Sequence, residues 1–158
     1  MRGDIDLRES LLNPTDRASM MARLEALRPD ARKRWGRMSV GGMLCHLTDA
    51  FEVVLGDRPA DRRPKFHERT VMRLVALHTP IPWPHGVKTV PACDQELGGT
   101  PPGEFERDRA ALRDAMERFI DRVEPDRIAH PIFGRMSADE WGRWVYRHMD
   151  HHLRQFSG

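Results

Sequence analysis

The chain has 158 residues, a length that suits a single domain with its own hydrophobic core. Its 26 basic and 24 acidic residues leave a net charge of only +2, and both signs are interleaved along most of the sequence. Because nucleic-acid binders usually concentrate a basic excess on one face, this composition argues against a nucleic-acid partner. We therefore expect one domain over residues 1–158, with the charged residues on solvated helix faces.

The sequence also argues against a membrane protein. No segment approaches the roughly 20 consecutive apolar residues of a membrane span. Residues 1–16 are charged and lack the apolar core of a signal peptide, which favours a cytoplasmic location. The two cysteines, Cys45 and Cys93, form no CxxC motif, so we expect free thiols in a reducing compartment.

Helical periodicity, without a clear strand alternation, predicts an all-α fold. The first helix is expected from about Asp16 to Arg28, with Thr15 as its N-cap and Pro29 ending it. The second is expected to begin after the N-cap Ser39 and to end at Gly56.

Three further helices are predicted in the second half of the chain. A short one covers Phe66 to Leu77, and a long one begins after Thr100-Pro101-Pro102 and continues to about Val123. The last helix begins at a capping box formed by Ser137 and Glu140.

A long proline-rich stretch from Pro80 to Gly103 separates two of these helices. Its prolines forbid a regular helix. Loops of this length are often lids or binding loops. The alternative, which we favour slightly, is a packed surface crossover between two helices of a bundle.

The most informative motif is HMDHH near the C-terminus, which contains His148, His151 and His152. Residues four apart on a helix have Cβ atoms about 5–6 Å apart, so His148 and His152 can bind one metal ion together. A third ligand must come from elsewhere, and His46, at the edge of the second helix's apolar stripe, is the best candidate. The alternative is that the paired imidazoles are only packed among aromatic core residues.

Three neighbours of these histidines are candidates for a supporting role. Gln155 lies one turn after His151 and His152, where its amide can hydrogen-bond a ligand imidazole or a bound substrate. Asp49, three residues after His46, is expected to orient that imidazole. His151 is open to three interpretations: a supporting group, an alternative ligand or a surface histidine.

Other interpretations are less favoured. Position 149 is Met rather than Glu, so the H-E-x-x-H motif of zinc proteases is not matched. Cys45 points about 100° away from His46 on a helix and is not counted as a ligand. The remaining charged and histidine residues of interest are expected to face solvent or to be structural: Arg143, Arg147, Asp150, Arg154, His67, His78 and His130. His85 is a partial exception, because it lies close to Trp83 in the long proline-rich stretch.

Two long segments, RWGRMSVGGMLCHLTDAFEVVLG and HPIFGRMSADEWGRWVYRHMDHHLRQF, resemble an uncharacterised family within the DinB/YfiT-like metalloenzyme superfamily. The resemblance covers most of the chain. It implies a metal triad of His46, His148 and His152, with Gln155 in the trailing position. It further implies a four-helix bundle with up-down-down-up topology that binds a divalent metal, most often zinc or nickel.

The resemblance leaves the reaction open, because one fold hosts many chemistries. Its better-known relatives include thiol-dependent S-transferases and isomerases, and others are described as metal-dependent hydrolases. The first hypothesis is therefore an enzyme that acts on a small-molecule substrate with water or a thiol cosubstrate. The second is a non-catalytic metal- or ligand-binding stress-response module. A weaker third is a structural bundle that forms a homodimer through an apolar helix face.

Overall fold

The computed structural model describes residues 6–60, 62–124 and 129–156, and this part of the chain is mostly helical. A π-helical turn, Glu68–Met72, leads into the third helix, and a 3-10 turn, Pro91–Cys93, lies in the long connection that follows. Two short strands, β1 (Ala129–His130) and β2 (Gly134–Arg135), form an antiparallel pair. The α-helices of the described residues are α1 (Pro14–Glu25), α2 (Val40–Leu55), α3 (Arg73–His78), α4 (Phe105–Arg122) and α5 (Ala138–Phe156).

Helix α1 begins earlier than the sequence predicted. The side-chain oxygen of Asn13 accepts hydrogen bonds from the backbone N–H groups of Thr15 (2.9 Å) and Asp16 (3.3 Å). Pro14 then occupies the first helical position, where its fixed φ is suitable and no N–H is required. The prediction of Thr15 as the N-cap is therefore wrong, because Asn13 reaches the free N–H groups first.

Both predicted ends of α2 and the predicted start of α5 are confirmed. The Ser39 hydroxyl accepts a hydrogen bond from the Gly42 N–H (3.0 Å), and Gly56 ends α2 in the left-handed conformation with φ 77°. At the start of α5, the Glu140 N–H donates to the Ser137 hydroxyl (3.3 Å), and the Ser137 N–H donates to the Glu140 carboxylate (2.9 Å). Both helices that carry the predicted metal ligands are thus positioned by local sequence signals.

The hydrophobic core lies between the four longer helices. Helix α2 contacts both α4 and α5, and α1 packs on α5. Each large apolar side chain buried there contributes about 1.5–3 kcal/mol. The most deeply buried members are Met20, Leu24, Met43, Leu44, Leu47, Leu112, Met116, Phe119, Trp141 and Met149. This packing places the buried face of α2, including residue 46, directly beside α5.

The short helix expected at residues 66–77 is present as the π-helical turn followed by α3. Its inner side is well anchored, since Leu77 is fully buried. The Glu68 carboxylate, also buried, forms an ion pair with Arg62 and accepts a hydrogen bond from the Lys65 N–H (2.7 Å).

The connection from α3 to α4 has two parts. Its second half, around the 3-10 turn, packs against α2 and buries Val90 and Cys93. Its first half, which includes Trp83 and His85, lies against the histidines of α5. The connection is therefore a packed crossover in one part and a neighbour of the candidate site in the other.

Two expectations from composition can be compared directly with the structure. Cys45 and Cys93 are both free and buried. Among the described residues, no helix combines the length and the apolar character needed to cross a membrane.

His130, at the end of β1, is a structural residue in a buried turn. Its Nδ1 accepts hydrogen bonds from the backbone N–H groups of Ile132 (3.1 Å) and Phe133 (3.0 Å). Its ring stacks on Phe133 at 4.7 Å between centroids and meets the Trp144 ring edge-on at 4.5 Å. Burial lowers the pKa of His130 to about 3, so the imidazole stays neutral and keeps its acceptor.

We expect the His130→Asn variant to lose less stability in acid than the wild-type protein. Between pH 6.5 and about 3, an unfolded His130 binds a proton and the folded one does not, so stability falls as the pH falls through this window. Asparagine keeps an acceptor oxygen but does not titrate. The slope of the unfolding free energy against pH should therefore decrease by up to about 1.4 kcal/mol per pH unit, measured by urea unfolding between pH 4.5 and 7. Identical slopes for the two proteins would contradict this assignment.

Candidate metal centre

The structure brings His46, His148 and His152 together from two helices. His46 lies in the middle of α2, and the other two lie one turn apart near the end of α5. One ring nitrogen from each residue lies within 4.8 Å of those of the other two. His46 and His152 are buried, whereas His148 is partly exposed. These residues are the three that the sequence proposed as ligands.

The spacing of these nitrogens suits a metal ion. The Nε2 atoms of His46 and His148 are 3.1 Å apart. Zinc–nitrogen bonds of 2.0–2.1 Å at tetrahedral angles place two ligand nitrogens about 3.3 Å apart. The three rings also meet edge-on, with centroids 4.7–5.1 Å apart, rather than stacking face to face. The residues present therefore fit a divalent metal held by three imidazoles.

The orientation of His46 is fixed by the backbone. Its Nδ1–H donates to the carbonyl oxygen of Cys93 at 2.7 Å, inside the protein. This bond assigns the proton to Nδ1 and leaves the lone pair on Nε2, the nitrogen that faces His148. The crossover after α3 thus determines the ring orientation and the tautomer of His46.

His152 is oriented by a side chain from its own helix. Its Nδ1 lies 3.2 Å from the Oε1 atom of Gln155, one turn later. The amide nitrogen of Gln155 donates in turn to the carbonyl oxygen of Trp35, at 2.8 Å. Because the amide is held at both ends, Oε1 faces the imidazole and Nε2 of His152 is free to bind a metal.

Asp49 does not orient His46 directly, contrary to the prediction from its position on α2. It is fully buried and accepts hydrogen bonds from the N–H (2.8 Å) and the hydroxyl (2.6 Å) of Thr100 and from the Gln95 amide (3.0 Å). It also forms a 2.8 Å ion pair with Arg58. Asp49 therefore anchors residues 95–100 on α2, just after the Cys93 carbonyl that holds His46.

Burial keeps the three imidazoles neutral. It lowers the pKa of His46 below the ordinary histidine value, and it lowers the pKa of His148 and of His152 well below that value. In the last two, the neighbouring imidazoles add to the effect, since positive charges so close together repel. At neutral pH each imidazole is thus neutral, and binding a cation requires at most a shift of the His148 proton from Nε2 to Nδ1 rather than the loss of a charge.

A family model described as the DinB superfamily matches residues 12–156. The chain belongs to the DinB superfamily. No curated protein and no solved structure gives a significant match to the chain. This membership agrees with the resemblance found in the sequence. The matched region includes every residue of the histidine cluster.

Aromatic rings surround the cluster of this DinB superfamily protein. The rings of Trp144 and Trp83 lie 4.9 Å and 6.1 Å from the His148 ring. Farther out, Trp35 and His85 stack in parallel at 4.1 Å, which joins the segment before α2 to the segment after α3. The two outer tryptophans were missed by sequence reasoning. The available signals were that Trp83 lies two residues before His85 and that Trp35 lies within the RWGRM motif.

His151 lies among these outer rings and not in the metal cluster. Its ring is 5.8 Å from Trp35, 5.8 Å from His85 and 6.2 Å from Trp83. Burial, followed by the neighbouring His85, lowers the pKa of His151 to about 4. The residue is therefore a neutral neighbour of the centre within contact distance of three aromatic side chains.

The charged residues of α5 are less exposed than the sequence suggested. Arg147 is buried, donates to the carbonyl oxygens of Thr79 (2.9 Å) and Ile81 (2.7 Å), and lies 5.6 Å from the Trp83 ring. The expectation that it faces solvent is wrong, because the crossover covers this side of the helix.

Partners within the protein are also found for the three other residues of α5 that were expected to face solvent, Asp150, Arg143 and Arg154. Asp150 is mostly buried and pairs with Arg23 of α1 at 2.7 Å and with Arg154 at 2.8 Å. Arg143 donates to the Leu77 carbonyl oxygen at 3.2 Å. These contacts dock α1 and α3 on the helix that carries two of the histidines.

Proposed function

We propose that this DinB superfamily protein binds one divalent metal, zinc or nickel, through the Nε2 atoms of His46, His148 and His152. We further propose that the centre is catalytic, either as a hydrolase or as a thiol-dependent transferase acting on a small molecule. The observation that carries the proposal is the convergence of three neutral ring nitrogens, with the opposite nitrogen of His46 and of His152 already hydrogen-bonded. The same proposal includes a single domain built as an up-down-down-up four-helix bundle.

The set of three protein ligands leaves coordination positions for an exogenous ligand. Asp49 already binds Thr100, Gln95 and Arg58, so its carboxylate is not available as a fourth ligand. Among the described residues, the group that can share an ion includes His46, His148 and His152 but not His151. Three protein ligands with a position left for substrate or water is the pattern of catalytic zinc sites.

The chemistry follows from the donors and their environment. A divalent ion held by three neutral imidazoles lowers the pKa of a water or thiol that it binds. The chain itself orients two of the rings, that of His46 through the Cys93 carbonyl and that of His152 through Gln155. The third ligand, His148, is partly exposed and lies beside the rings of Trp83 and Trp144. Met149 follows His148, at the position where the H-E-x-x-H motif of zinc proteases carries its glutamate base, which distinguishes the site from those enzymes.

The second candidate function is a non-catalytic metal-binding module. It is favoured by the ring contacts around the cluster, since the stacked pair of Trp35 and His85 and the Trp83 ring cover one side. This alternative predicts the same metal affinity without turnover of any substrate.

The deciding experiment uses protein without a polyhistidine tag, loaded with one equivalent of zinc or nickel. It is assayed against ester, amide and thiol-conjugation panels, with the His46→Ala variant as the matched control. We expect turnover in one panel by the loaded wild-type protein and none by the variant. Stoichiometric metal without turnover in any panel would favour the non-catalytic module, and failure to bind metal would refute both functions.

A further inference from the structure

Exposed apolar side chains concentrate in residues 66–81. Of the eight large hydrophobic residues that are exposed in the described part of the chain, six lie in this segment. They are Phe66 (75%), Val71 (63%), Met72 (43%), Leu74 (58%), Val75 (39%) and Ile81 (53%). We call these six residues the outer face. Isolated apolar residues on a surface need no explanation, whereas a concentration of this kind marks an interaction site.

The outer face is exposed because the opposite side of the segment is fully used. Arg73 forms two hydrogen bonds with Glu140 of α5, at 2.9 Å and 2.6 Å. Leu77 is completely buried, and Arg147 of α5 holds the Ile81 carbonyl oxygen at 2.7 Å. Rotating the segment to bury the outer face would break these contacts, so the rest of this chain leaves the face exposed.

We propose that a second copy of this chain covers the outer face. The six side chains together expose roughly 600 Å² of apolar surface, at the upper end of what an isolated monomer usually shows. Two such faces in contact would remove about 1,200 Å² from water, which reaches the lower limit for specific protein interfaces. Val71, Leu74 and Val75 have the spacing of a helical stripe, and a stripe of this kind can pack against its own copy across a two-fold axis.

The charges around the face favour a protein partner over a lipid surface. Arg73, which borders the stripe, is neutralised by Glu140, and Glu68 is neutralised by Arg62. Three further cations, Arg63, Lys65 and Arg69, lie toward the start of the segment. Segments that bind anionic lipids usually carry four to eight lysines and arginines together. The apolar stripe, rather than positive charge, is therefore the dominant feature of this surface.

The outer face and the metal centre share a structural element. The indole N–H of Trp83 donates to the Ala76 carbonyl oxygen of α3 at 3.0 Å, and the Trp83 ring lies 6.1 Å from His148. A partner on the outer side of α3 would therefore hold the segment that places Trp83 beside the histidines. The dimer does not depend on whether the histidines bind metal.

Sedimentation equilibrium of the full chain tests the proposal. We expect the wild-type protein to be a dimer at micromolar concentration. The Val71→Glu/Leu74→Glu variant should dimerise at least about tenfold more weakly, because two charges would enter an apolar contact. Leu97→Glu is the matched control, since Leu97 is also a highly exposed apolar residue (72%) but lies outside the face. It should leave the dimer unchanged, and Leu74→Ser should have an intermediate effect.

The three substituted positions are on the surface, and circular dichroism melting curves should confirm that each variant is folded. A wild-type protein that stays monomeric at about 100 μM would refute the proposal, because even a weak interface at the lower size limit should associate at this concentration. Equal dimerisation of wild type and the double variant would refute it as well. Co-sedimentation of a monomeric wild type with phosphatidylserine vesicles, lost in the double variant, would assign the face to lipid instead.

Discussion

Replacing His152 with alanine is expected to weaken zinc binding by more than about 100-fold while the protein remains folded. Loss of a residue that only supports a ligand typically costs 10–100-fold in metal affinity, and the loss of a ligand should cost more. His152 contributes one of three converging nitrogens, and the remaining pair, His46 and His148, would form an incomplete site. The measurement is competition between the untagged protein and a chromophoric chelator at pH 7.5. His46→Ala should have an equally large effect.

Two variants on the same helix make this test specific. His151→Ala changes a neighbouring histidine outside the cluster, and its affinity should stay within a factor of about three of the wild type. Gln155→Leu removes the hydrogen bond to Nδ1 of His152 and should cost about 10–100-fold. If His151→Ala loses as much affinity as His152→Ala, the assignment of ligands is wrong.

Local rules explain why much of the candidate site could be predicted. The four-residue spacing of His148 and His152 places both on one helix face whatever surrounds them. The caps Ser39 and Ser137 follow from hydrogen bonds between near neighbours, and so could be read from the sequence. His46 required one additional assumption, that α2 packs beside α5, which its apolar stripe supplied.

The remaining features depend on contacts between distant segments. The partners of Arg147 are carbonyl oxygens of residues 79 and 81, and a backbone carbonyl leaves no mark in an amino-acid sequence. The same is true of the Cys93 carbonyl, which orients the His46 imidazole, a role that the sequence had assigned to Asp49. Proximity along α2 suggested a direct bond between Asp49 and His46, whereas the docking of the crossover gave Asp49 stronger partners.

Asp49→Ala is expected to destabilise the protein by about 3–5 kcal/mol, because it removes a fully buried carboxylate that accepts three hydrogen bonds and pairs with Arg58. Arg58 would lose its buried partner, and Thr100 and Gln95 would lose an acceptor. Urea unfolding measures this loss. Glu52→Gln is the matched control. Glu52 pairs with the same Arg58 but is partly exposed, so its loss should cost no more than about 1 kcal/mol.

The same substitution should also weaken zinc binding, by about 10–100-fold, if the crossover orients His46. Asp49 anchors residues 95–100, and the Cys93 carbonyl two residues before that anchor fixes the proton on Nδ1 of His46. Without the anchor, the ring is free to carry its proton on Nε2, the nitrogen required for the metal. Nitrogen-15 NMR of the imidazoles should therefore show the Nδ1–H form of His46 in the wild type and a mixture in the folded variant. A destabilised variant that keeps both the Nδ1–H form and its zinc affinity would limit Asp49 to a role in folding, and the Cys93 carbonyl would then hold His46 without it.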